Sequence, residues 1–150
     1  MKPEELHAIA SELGMQFDED SRSIYGTRSS YLLFLQETDV KNQFRLCVSV
    51  SLNGNPADSE ENELVWDEFK SESLPNLSTL SINQYLVSFV VKGAMRKSKT
   101  IEKLQTLITD LVAFLETHHF VQVCAYSGQE GPVGLYQLGD SIFLINEESY

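Results

Sequence analysis

Between Phe44 and Leu52 every second residue is apolar: Phe44, Leu46, Val48, Val50 and Leu52 alternate with Arg45, Cys47, Ser49 and Ser51. Successive side chains of a strand point to opposite faces, so this stretch predicts a β-strand with one buried face and one wetter face. A strand of that kind needs neighbours to pair with and a layer to cover its apolar side. Tyr31 to Leu35 is a continuous apolar run of strand length and supplies one neighbour. Leu80 and Ile82, then Tyr85, Val87, Phe89 and Val91, form two alternating runs separated by Asn83-Gln84, which reads as an antiparallel hairpin. Upstream, Met15 and Phe17 lead through the polar turn Asp18-Glu19-Asp20-Ser21-Arg22 to Ile24 and Tyr25, a hairpin or two short strands.

The covering layer is helical. Pro3 opens a short helix where its missing N–H costs nothing, Leu6, Ile9, Ala10 and Leu13 follow at helical spacing, and Gly14 ends it. From Asp58 to Glu72 seven acidic residues stand against one Lys, with Leu64, Val65, Trp66 and Phe69 as a narrow apolar stripe, and a second helix is expected there. Ser98 or Thr100 caps the longest helix, where Ile101, Leu104, Ile108, Leu111 and Leu115 share a face widened by Leu107, Val112 and Phe114. Such a face is packed along most of its length, against the sheet or in a subunit interface. After Phe120 short apolar runs are broken by Gly128, Gly131, Pro132, Gly134 and Gly139, as in short strands and turns. The reading is an α+β fold: an antiparallel sheet with helices in the order α-β-β-β-α-β-β-α, followed by a small β-rich tail. It divides the chain into an α+β domain over 1–119 and a tail over 120–150 packed on it.

Charge narrows the function. Eleven Lys and Arg stand against 22 Asp and Glu, a formal net charge of -11 in 150 residues, which disfavours nucleic acid and anionic lipid surfaces. The opening residues lack the apolar run of a signal peptide, and nothing approaches the roughly 20 apolar residues of a membrane span. A cytoplasmic protein without membrane insertion is expected, with Cys47 and Cys124 as free thiols. Against that acidic background Lys92, Arg96, Lys97, Lys99 and Lys103 place five of the eleven cations within twelve residues, opposed only by Glu102. These five are the candidate partner-binding residues, suited to an acidic protein segment, with solvation or pairing to the chain's own acids as the plain alternative.

Catalytic chemistry is thinly represented. His118 and His119 adjoin at the end of the long helix, where polar or cationic residues satisfy the last carbonyls, and His7 lies on a polar face. Cys47 sits inside a strand, as a small hydrophobe rather than a nucleophile. The tail glycines match neither G-x-x-x-x-G-K-[ST] nor G-x-G-x-x-G, and the acidic block lacks the calcium loop of an EF-hand. No catalytic residues, cofactor or metal are expected. An enzyme would need His118 or His119 to meet Cys124 in one cleft.

The tail carries a resemblance. Cys124 and Ser127 have the spacing of one zinc-ribbon knuckle, and Asn146 and Ser149 that of the second, so the segment resembles a ribbon that has lost three of four thiolates. With Lys2-Pro3-Glu4-Glu5-Leu6, Ile24-Tyr25-Gly26 and Lys97-Ser98-Lys99-Thr100-Ile101-Glu102, the whole chain resembles an uncharacterised family of Gram-positive bacterial proteins. In that family an N-terminal α+β domain leads into a cysteine-bearing ribbon and often a membrane part. In coarse topology the element order is also similar to type III secretion chaperones, which implies a small, acidic, dimeric protein that binds a client segment.

Two functions follow as expectations. The first is a non-catalytic, chaperone-like interaction domain that binds a protein client or self-associates as a homodimer through exposed apolar strand or helix surface. The alternative is a soluble sensory or regulatory module that binds a small ligand in a pocket near the tail formed by Cys124, Tyr126, Tyr136 and Phe143.

Overall fold

A computed structural model describes residues 1–52, 64–69, 71, 79–83, 86–123, 134–138 and 141–145. Helix α1 (Pro3–Leu13) has Pro at its start and Glu4 and Glu5 in its first turn, beside the positive end of its dipole. Gly14, at φ +69°, ends it in the left-handed conformation, so that the Gly14 and Met15 N–H groups reach the Ser11 and Ala10 carbonyls at 3.1 and 2.8 Å.

Four strands follow, where the sequence predicts three: β1 (Gln16–Asp18), β2 (Ser23–Arg28), β3 (Tyr31–Glu37) and β4 (Gln43–Leu52). The count rises by one because both short strands read on either side of the polar turn form and pair with each other across it. Asp18 Oδ2 accepts from the Ser21 backbone N–H at 3.1 Å and its hydroxyl at 2.6 Å, and Arg22 takes a positive φ of 57°. Residues 64–69 are helical (α2), followed by β5 (Thr79–Asn83), β6 (Leu86–Lys92) and α3 (Lys97–Thr117). β7 (Phe120–Gln122), β8 (Gly134–Leu138) and β9 (Ser141–Ile145) complete the described order.

Six strands run in the order β1-β2-β3-β4-β6-β5, with β7 as a seventh beside the end of β4, and every pair is antiparallel. β4 is the hub. Its Phe44 to Val48 pair with β3, its Gln43 to Ser49 with β6, and its last residues change partner to β7 in the register Val50–Gln122, Ser51–Val121 and Leu52–Phe120. The expected boundary between 119 and 120 therefore passes between α3 and a strand of the main sheet. β8 and β9 form a separate two-stranded ladder.

One core unites α1, α2, α3 and one sheet face: Leu6 and Ile9 of α1 and Leu104, Leu111 and Leu115 of α3 bury with Leu33, Leu35, Leu46, Val48 and Phe89. The apolar stripe of α3 is thus covered by the chain's own sheet, which decides between the two places open to it. From α2, Trp66 and Phe69, each 1% exposed, wedge between sheet and α3. The Trp66 ring lies 5.5 Å from Phe89, 4.9 Å from Phe114 and 5.2 Å from Phe120. Leu64 departs from the expected stripe: at 71% exposure it faces solvent, because α2 turns Trp66 and Phe69, with the half-buried Val65, toward the core. Along β3 and β4 the alternate residues Leu32, Phe34, Cys47 and Ser49 are buried as well, so the sheet centre is shielded on both faces.

Candidate functional site

The basic cluster gathers at the end of the sheet where α3 begins. Lys92 ends β6, Arg96 precedes the helix, Lys97 and Lys99 lie in its first turn and Lys103 one turn on; all five are exposed. Neither Ser98 nor Thr100 caps α3, as the sequence suggests. Arg96 occupies the cap position without a side-chain cap bond, because Thr100 lies inside the helix and binds the loop instead. Its Oγ1 accepts from the Ala94 N–H at 2.9 Å and stands 3.0 and 3.2 Å from the Ala94 and Arg96 carbonyls. Lys103 Nζ donates to the Lys92 carbonyl at 2.7 Å. Lys99 pairs with Glu102 at 3.2 Å, but both side chains are about two-thirds exposed, so water screens the pair.

A second turn holds the same loop from below. Asn42, in the β3–β4 connection at φ +62°, accepts the Gly93 N–H on its carbonyl at 2.7 Å and donates its carboxamide to the Ala94 carbonyl at 2.8 Å. Asn42 N–H in turn donates to Glu37 Oε2 at 3.1 Å. A Cβ at position 93 would collide with the Asn42 carboxamide and displace it from the Ala94 carbonyl, so glycine suits this approach. Held at Asn42 and Thr100, the loop presents Met95 fully to solvent.

Beside Met95 lies an open hollow of about 320 Å3, with Met1, Ala94 and Met95 as apolar wall, Ile9 buried behind them, and Lys41, Lys97 and Glu5 as charged lining. On the other side of the α3 start, Lys99 and Lys103 border a second hollow with Val91, Leu107 and Asp110. Of the five expected cations, Lys97 thus lines the first hollow and Lys99 and Lys103 the second, while Lys92 and Arg96 line neither. Sequence reasoning missed Lys41, Asn42 and Met95, because nothing in a linear pattern tells that the 40–42 turn meets the 93–97 loop; the one local signal is a large apolar Met set among cations.

The expected ligand pocket lies largely outside the described residues. Tyr136 and Phe143 are cross-strand partners in the β8–β9 ladder, while Cys124 and Tyr126 lie outside the described residues. So do the remaining knuckle positions, Ser127, Asn146 and Ser149. Among the described residues no group of three His, Cys, Asp or Glu is placed to hold a metal ion, and no helix is long and apolar enough to cross a membrane. The His118 ring lies tilted against Phe114 with centroids 4.5 Å apart, and His119 takes φ +59° just past the helix, its N–H on the Glu116 carbonyl at 3.2 Å. Burial pushes the Cys47 thiol up to about 12, only partly offset by the Arg45 charge.

Compared with protein-family models, curated proteins and solved structures, the chain matches none.

Proposed function

We propose that this chain is a non-catalytic protein-interaction domain, chaperone-like in holding a protein partner, and that it does so at the loop between β6 and α3. One observation carries the reading: Met95, a large apolar side chain, stands fully exposed on a loop fixed from two sides. Ordered exposure of a flexible thioether costs solvation without any return inside the fold, and such side chains adapt to apolar partner surfaces. The stripe of α3, the other apolar surface of sequence-level interest, is occupied by the chain's own sheet. Burial raises the Cys47 thiol away from reactivity, so the described thiol favours no nucleophilic alternative.

A photo-crosslinking amino acid placed at Met95, and separately at the exposed Ser29 in the β2–β3 turn at the opposite end of the sheet, tests the reading in cells expressing the protein. A discrete crosslinked protein, or a crosslinked dimer, from position 95 alone is expected. Equal labelling from both positions, or none from 95, overturns it.

A further inference from the structure

Resting on that reading, we infer that the hollow beside Met95 receives an acidic segment of a partner protein that carries one apolar anchor residue. The hollow combines two recognition chemistries. Met1, Ala94 and Met95 offer apolar wall, with Ile9 buried behind them, and Lys41 and Lys97 flank it from separate elements, the β3–β4 turn and the start of α3. The net charge of -11 repels an acidic partner only where its field reaches. At physiological salt that reach is about 8 Å, so local charge governs docking. Locally the balance is reversed: Lys41 and Lys97 line the hollow against Glu5, and the exposed Arg96 adjoins Lys97 at the start of α3.

The helix start sharpens the case. α1 places Glu4 and Glu5 in its first turn, whereas α3 has no acidic residue there, no side-chain cap, and Arg96 and Lys97 against the positive end of its dipole. Cations in that position are unfavourable until carboxylates join them, which a partner's Asp or Glu side chains would do. A long polyanion fits less well, because beyond this face it meets the acidic body, and the lining offers no aromatic ring for a base to stack on.

Fluorescence anisotropy on the full chain, using short labelled peptides, tests this inference. The first peptide is rich in Asp and Glu around one Leu, the second has that Leu replaced by Ser, and the third has every acid replaced by its amide. The first is expected to bind tightest, weakened about tenfold by either change and by raising salt from about 50 to about 300 mM. Lys41→Glu with Lys97→Glu abolishes it, and Lys99→Glu, on the other hollow, leaves it nearly unchanged. Thermal melts verify folding, and Lys41→Gln with Lys97→Gln serves if charge reversal unfolds the chain. Equal binding of the Leu-free peptide, indifference to the Lys41 and Lys97 changes, or tighter binding of oligothymidylate overturns the inference. So does a homodimer that Lys97→Glu dissociates, since the occupant is then a second copy. If position 95 crosslinks a partner while no peptide binds, only this inference falls; if neither occurs, both fall.

Discussion

Cys47 shows how position in a strand decides side-chain chemistry. It alternates with Leu46 and Val48 on the face of β4 away from α1 and α3, and it is 1% exposed because that face is covered too. Water cannot reach the sulfur to solvate a thiolate, so the thiol rises from 9.0 to about 12 despite Arg45 two residues away. With Cys124→Ser leaving one thiol, Cys47 should react with a disulfide reagent at pH 8 only at the rate of unfolding; a burst in the native state refutes its burial. The linkage has a definite sign. The unfolded thiol ionises near 9 while the folded one holds its proton, so its contribution to stability is intact below pH 9 and is lost as pH rises toward 12. The loss is about 1.4 kcal/mol per pH unit, and Cys47→Ala should flatten that part of an alkaline denaturation curve.

Among the elements, β4, β6 and α3 were the most legible, because their apolar spacing follows directly from whichever face is buried. Leu46, Val48, Val87 and Phe89 alternate, and Leu104, Ile108, Leu111 and Leu115 recur at helical spacing. The β2–β3 hairpin was not legible. Its two-residue turn is Ser29-Ser30, both at positive φ (50° and 74°), with Arg28 opposite Tyr31. Turns of this hand are signalled by Asn-Gly, and two serines carry no such mark while straining the left-handed region. Ser29→Asn with Ser30→Gly should therefore stabilise the chain by about 1 kcal/mol and raise the melting midpoint. A fall in the midpoint would show that the serines hold the turn by contacts of their own. The candidate site was half legible for a related reason. The cation run is local, but its meeting with Lys41 depends on Asn42 and Gly93 approaching across 51 residues of chain.

At the scale of the molecule, the least local step is the return of the chain after α3 to finish the sheet. His119 turns the backbone at φ +59°, and β7 then docks where β3 stops pairing with β4. Three bonds seal the joint. Tyr31 donates its hydroxyl to the Phe120 carbonyl at 2.8 Å, Gln122 Oε1 accepts the Leu32 N–H at 2.7 Å, and Val123 N–H reaches the Ser49 carbonyl at 3.0 Å. The Gln122 carboxamide thus completes a backbone ladder across a gap between strands, a role that no alternation pattern announces. Phe120 adds a buried ring against Trp66 and Phe114. Losing a buried Phe costs about 3–5 kcal/mol, a large share of the roughly 5–15 kcal/mol that holds a domain folded. Two fragments ending at residues 119 and 123 differ only by these four residues. The longer should unfold cooperatively, as followed by the fluorescence of Trp66, while the shorter melts at least about 10 °C lower or without a sharp transition. Coincident melts would mean that the sheet closes without β7 and that the chain can be divided at residue 119 after all.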